Sequence, residues 1–115
     1  MSKVYKVGEI SDILDRMISN IYDLKSIYIE GEISNVVYQK SGHLYFSLKD
    51  DDSIIKCAVF SYRYKNIPDN LVEGTKVEVL ASVSYYKPYG TITFTVEKLK
   101  KAGVVHVEKG NVTGE

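Results

Sequence analysis

The stretch His43-Leu44-Tyr45-Phe46-Ser47-Leu48-Lys49-Asp50-Asp51-Asp52-Ser53-Ile54-Ile55-Lys56-Cys57-Ala58-Val59-Phe60 decides the fold. Apolar residues recur at every second position on both sides of a polar break, the period of a half-buried strand. Successive strand side chains point to opposite faces. Leu44, Phe46 and Leu48 therefore share an inward face with Ile55, Cys57 and Val59, while Tyr45, Ser47, Lys49, Lys56, Ala58 and Phe60 point outward. Asp50-Asp51-Asp52-Ser53 between them reads as a solvated hairpin turn, because its flanks lack the ligand spacing of a calcium loop. His43–Lys49 and Ile54–Phe60 are thus expected to pair as neighbouring strands.

Working outward, the same period continues. Ile27, Ile29, Gly31 and Ile33 alternate with Tyr28, Glu30, Glu32 and Ser34 in a long first strand. Gly31 marks a bend or a close backbone approach there. A fourth strand is expected over Lys76–Tyr86, with Val77, Val79, Ala81 and Val83 inward. A fifth follows over Thr91–Leu99, with Ile92, Phe94 and Val96 inward, after a Lys87-Pro88-Tyr89-Gly90 turn. Before the first strand, Ile10, Ile13, Leu14, Met17, Ile18 and Ile21 form one helical stripe, predicting an amphipathic helix over about 7–24 with Gly8 as its N-cap. That stripe needs a sheet to lie against, or a partner. The fold expected is mainly β: a five-stranded antiparallel OB-type barrel with an N-terminal α-helix. It should occupy residues 1–103, with 104–115 a loose tail or the start of a linker.

Composition bounds the function. The chain has 115 residues, one domain's worth, and its 15 basic and 15 acidic side chains cancel. No apolar run approaches the roughly 20 residues of a membrane span, and the first six residues lack a signal peptide's apolar core, so a soluble, cytoplasmic protein is expected. The single cysteine, Cys57, excludes an internal disulfide and argues against cysteine-bound zinc; it reads as a buried strand thiol. Glycine-rich phosphate loops and Ser-His-Asp patterns are absent, Glu30 and Glu32 carry no divalent-metal motif, and catalysis, metal and cofactor are not expected. Ten tyrosines without a tryptophan are the unusual feature, since tyrosine tolerates half-exposure.

The outward face of the two central strands carries the functional signal. Phe60 is a large apolar ring on a face otherwise holding Tyr45, Lys49 and Lys56. Such a ring is either a stacking platform for an unpaired base, or a group that caps the barrel's end or packs under the Tyr62–Asn66 connector. The loops flanking that face in an OB barrel bring Lys40, His43, Tyr85, Tyr86, Lys87 and Tyr89. His43 also reads as a hydrogen-bonded loop residue, and Arg63 and Lys65 as solvent-facing charges within reach of a phosphate. With no net charge, binding has to come from local cations and stacking rather than a global field.

Gly31-Glu32-Ile33-Ser34-Asn35, Ser41-Gly42-His43, Tyr45-Phe46 and Leu48-Lys49-Asp50, followed by Cys57, Phe60, Gly74, Val77, Val79, Tyr86 and Gly90, resemble the N-terminal OB domain of exodeoxyribonuclease VII large subunits. The resemblance covers roughly Tyr5 to Gly103. It implies a single-stranded-DNA-binding module of a bacterial cytoplasmic nuclease that needs no metal. It also implies a separate nuclease domain and a coiled-coil region recruiting small subunits, neither contained in these residues. Two departures stand out: Ser61 replaces a basic residue frequent after the phenylalanine, and Val104–Lys109 replaces the usual glycine and helix. The nucleic-acid contacts expected are Tyr45, Phe60 and Tyr86 for bases and Lys49, Lys56, Arg63 and Lys87 for phosphates, with His43 beside them. Two rival readings remain: an OB module for structured RNA of anticodon type, and a protein-docking barrel, which the neutral charge suits.

Overall fold

Alternation becomes strand in all five expected places. The computed structural model describes residues 2–68 and 70–102, so the expected tail at 104–115 lies outside the described residues. The order is α1 (Val7–Ser19), β1 (Ile27–Tyr38), β2 (Leu44–Lys49), β3 (Ile54–Val59), β4 (Lys76–Tyr86) and β5 (Thr91–Lys101), with short 3-10 turns at Tyr22–Leu24 and Tyr62–Tyr64. The strands close into a barrel ordered β1-β2-β3-β5-β4. Four of the five pairings are antiparallel, as expected. The closing pair is not: β3 and β5 run parallel, joined at Lys56–Thr93, Cys57–Phe94 and Ala58–Thr95. That correction follows from barrel closure, because five strands alternating in direction around a closed ring must leave one neighbouring pair parallel.

The core holds the inward sets almost as read. Ile33, Leu44, Phe46, Leu48, Cys57, Val59, Val77, Val79, Ala81 and Val96 are essentially sealed from solvent. Ile55 is half-buried, and Ile92, at the open end of β5, is exposed. Burying a side chain of this size contributes roughly 1.5–3 kcal/mol, so this set supplies most of the drive to close the barrel. The Asp50 carboxylate accepts the backbone N–H groups of Asp52 and Ser53, both at 2.9 Å, which holds the β2–β3 hairpin turn and depresses the Asp50 pKa.

Long β1 pairs with β2 on one edge and β4 on the other. A Cβ added at Gly31 would stand 3.3 Å from both the Leu48 Cβ and the Lys49 carbonyl, so glycine is there for close approach to β2. The bend itself lies further on, where the register slips between Ser34 and Val37 and Asn35 takes a left-handed φ of 54°. Asparagine tolerates that region better than other side chains. The extra residue of this bulge bends the strand.

The helix is shorter than its stripe. It ends at Ser19, and the chain passes through Asn20 into the Tyr22–Leu24 turn, so the expected extent to Leu24 is corrected. Its N-cap is Lys6, whose N–H donates to the Glu9 Oε1 at 2.8 Å; Gly8 lies inside the first turn. The helix rests on β4, yet only Ile18 of its stripe is buried; Ile10, Leu14 and Ile21 stay exposed, and Met17 is 61% exposed. Among the described residues no helix is long and apolar enough to cross a membrane.

Candidate nucleic-acid interface

The β2–β3 face is built around a small residue. Ala58 pairs with Tyr45 across β2 and with Thr95 across the parallel seam. Its methyl is only 1% exposed and forms the floor of a groove of about 430 Å³. Around it stand Tyr45 and Phe60 on one side and Tyr85, Tyr86 and Tyr89 on the other. Lys56 supplies the cation, while Gln39, Ser84, Thr91 and Thr93 supply hydrogen-bonding groups. Five aromatic rings, one ammonium and several hydroxyls thus converge in one concavity.

Phe60 owes its position to the residues after it. Ser61 adopts a left-handed φ of 52°, which turns the chain sharply past the end of β3. The next residue, Tyr62, enters the core, its N–H bonded to the Gly42 carbonyl at 3.1 Å and its ring 5.1 Å from that of Tyr38. The Tyr38 hydroxyl donates to the Pro68 carbonyl and accepts the Leu71 N–H, both at 2.9 Å. This network ties the turn to two loops. Of the two readings of Phe60, the buried one belongs instead to Tyr62, and the Phe60 ring is 42% exposed. It meets His43 at 5.3 Å and Tyr45 at 6.4 Å between centroids, both nearly perpendicular. Edge-to-face contacts of this kind fix a ring's orientation.

His43 supports the turn as well as the ring. Its Nδ1 accepts the Ser61 N–H at 3.1 Å, so in the neutral imidazole the proton sits on Nε2. It touches Phe60 without lining the groove. Arg63 is exposed on the 3-10 turn, its guanidinium 5.1 Å from the Tyr62 ring, just outside the groove. On the facing loop, Tyr86 and Tyr89 lie 5.5 Å apart with rings tilted by 40°. Gly90, at φ 63°, completes their turn.

Two expected cations are placed differently. Lys49 stands at the far end of β2, four residues or roughly 13 Å from Tyr45 at strand spacing. It lines a separate depression with Glu30, Glu32 and Asp50, so the structure does not bring it to the aromatic groove. Lys87 lies on the β4–β5 loop, but its ammonium is bonded at 2.6 Å to Asp12 of the helix. That hydrogen bond, with the charge behind it, raises the Lys87 pKa and depresses that of Asp12. Alternation could reveal neither placement. The contributions of Ser84, Thr91 and Thr93 were also missed, although hydroxyls at every second position of Thr91-Ile92-Thr93-Phe94-Thr95 signal a polar face on β5. Cys57, behind the floor, is buried and its thiol pushed up to about 12 by desolvation, which suits a core residue rather than a nucleophile.

A closed five-stranded barrel with an aromatic groove across β2 and β3 defines an OB-fold nucleic-acid-binding domain, and residues 5–100 match the family described as "OB-fold nucleic acid binding domain". The chain belongs to that family. Within it, the chain is homologous to exodeoxyribonuclease VII large subunits: it is 43% identical over 101 residues to that of Fusobacterium nucleatum, covering 88% of this chain and 25% of the relative. The large subunit of Clostridium perfringens is 39% identical over 102 residues (89% and 26%), and that of Mycoplasma mycoides 34% over 110 residues (95% and 24%). The chain thus spans about a quarter of the length of these relatives. Among solved structures, a putative aspartyl-tRNA synthetase from Leishmania major superposes with a TM-score of 0.54 at 14% identity, over 88% of this chain and 22% of that one. A replication protein A heterotrimer bound to single-stranded DNA gives 0.52 at 10% identity, over 74% and 59%. Both likenesses are of fold.

Proposed function

We propose that the domain binds single-stranded DNA, with little regard to sequence, and guides it to a nuclease core carried elsewhere in an exodeoxyribonuclease VII large subunit. The observation behind this reading is the groove: five rings around a small floor, with Lys56 beside them. Unpaired bases stack on such rings, each contributing roughly 1–3 kcal/mol, largely independent of base identity. In this reading Phe60, Tyr45 and Tyr86 carry bases, and Lys56 and Arg63 meet phosphates. Lys87 joins them when its bond to Asp12 exchanges, His43 braces Phe60, and Lys49 touches only a strand that runs beyond the groove. The domain itself is non-catalytic, needs no cofactor, and works in the bacterial cytoplasm. Its small-subunit partners are reached through the rest of the parent chain.

DNA is favoured over structured RNA by the relatives, which are named as exodeoxyribonuclease large subunits. Competition between oligo-dT and oligo-U for the isolated 115-residue chain, read by fluorescence anisotropy, tests the reading. DNA should compete at least as well as RNA, and binding should weaken as salt rises. Preference for RNA would support the anticodon-type reading. No shift of either oligomer at low salt would leave a protein-docking barrel.

A further inference from the structure

A second concavity, of about 610 Å³, lies on the outer face of β1, β4 and β5, beyond the 3-10 turn that follows Phe60. Tyr28, Leu80 and Lys98 are cross-strand partners in a row over those three strands. Tyr64, Lys65 and Asn66 close its other wall. Tyr28 is 67% and Tyr64 91% exposed, two large aromatic residues open to solvent.

The two concavities have no lining residue in common, but they are neighbours along the chain after β3 and on strands β4 and β5. Phe60 lines the first and Tyr64 the second, four residues apart, so their Cα atoms are at most about 14 Å apart even if the chain were extended. Exposed Arg63 lies between Phe60 and Tyr64 in sequence, its guanidinium 5.1 Å from the Tyr62 ring, and the Lys65 ammonium, on the second wall, donates to the Phe60 carbonyl. The second lining holds Lys65, Lys98 and Lys100 against Glu78 and Glu97, and Lys100 already offsets Glu78 at 3.4 Å. Cations beside exposed rings suit a phosphodiester chain whose bases stack, and the carboxylates can accept hydrogen bonds from base amino groups.

We infer that the Tyr28–Tyr64 concavity is a second nucleotide-binding subsite, which takes the continuation of a single strand that crosses Phe60 and Arg63. This rests on the proposed single-strand reading of the first groove. The test is anisotropy with oligo-dT of about 6 and about 20 nucleotides, lengths that fall within and beyond the span of one groove. Wild type, Phe60→Ala and the double variant Tyr28→Ala/Tyr64→Ala are compared, each checked for native circular dichroism; the exposed tyrosines make the double variant a safe one to fold. The double variant should lose about fivefold or more on the long oligomer and less than twofold on the short one, whereas Phe60→Ala should lose on both. Wild-type affinity for the long oligomer by the double variant would overturn the second subsite. Equal losses on both lengths would overturn it too, assigning Tyr64 to the first groove. If Phe60→Ala binds both lengths like wild type, it is the reading of the first groove that fails.

Discussion

Truncating Phe60 separates stacking from phosphate attraction more cleanly than any other change to the groove. Phe60 is 42% exposed, and its ring meets those of His43 and Tyr45 at 5.3 and 6.4 Å. Phe60→Ala should therefore cost the fold about 1–2 kcal/mol, well short of the roughly 3–5 kcal/mol typical of a fully buried phenylalanine. Binding should suffer more visibly. Loss of one base platform removes roughly 1–3 kcal/mol, which raises Kd about 5- to 150-fold. The slope of log Kd against log salt should stay the same, because Lys56 and Arg63 still neutralise the same phosphates. Anisotropy titrations of fluorescent oligo-dT at two salt concentrations measure both quantities, and Phe60→Tyr should restore most of the affinity. A Kd within twofold of wild type, in a variant that unfolds cooperatively, would refute the reasoning. So would a loss that disappears at high salt, since that would assign the effect to charge.

Further outcomes follow from the electrostatics and the core. Asp12→Asn should free the Lys87 ammonium from its 2.6 Å partner and tighten oligo-dT binding about two- to fivefold at low salt, with the gain screened out near 1 M. Because Asp12 is depressed below its usual 3.8 and Lys87 raised above 10.5, the pair holds across neutral pH; it is lost as pH falls through the lowered Asp12 value or rises through the raised Lys87 value, so the Asp12→Asn effect should be flat between about pH 6 and 9. Cys57, held protonated to about pH 12, should resist a disulfide reagent in the native protein at pH 8 and react promptly in urea, as a spectrophotometric thiol assay would report. Stability should decline above pH 9, where the unfolded thiol ionises and the native one does not; a Cys57→Ala variant should lack that component.

The faces of β2 and β3 were legible because a strand's period of two leaves a single choice once one face is apolar. Leu44, Phe46 and Leu48 had to turn in, and Tyr45 and Phe60 had to turn out. Position along the strand and partners across space are a different matter. Lys49 shares its face with Tyr45 yet ends up among carboxylates at the other end, and Lys87 is claimed by a helix 75 residues away in sequence. The helix showed its stripe but not its stopping point or how much of that stripe β4 would cover. The parallel seam left no local trace, since it arises only when an odd number of alternating strands closes into a ring. For that reason Thr91 and Thr93 of β5 joined the groove unforeseen.

That seam has a consequence for the groove's owner. Only three residue pairs join β3 to β5, and they include Lys56 with Thr93 and Ala58 with Thr95, the ground over which the rings stand. The shortest stitch in the barrel therefore runs beneath the surface a ligand would cover. A strand lying across it would act as a suture, holding together the two margins most prone to part, and occupancy and mechanical integrity of the barrel would rise and fall together.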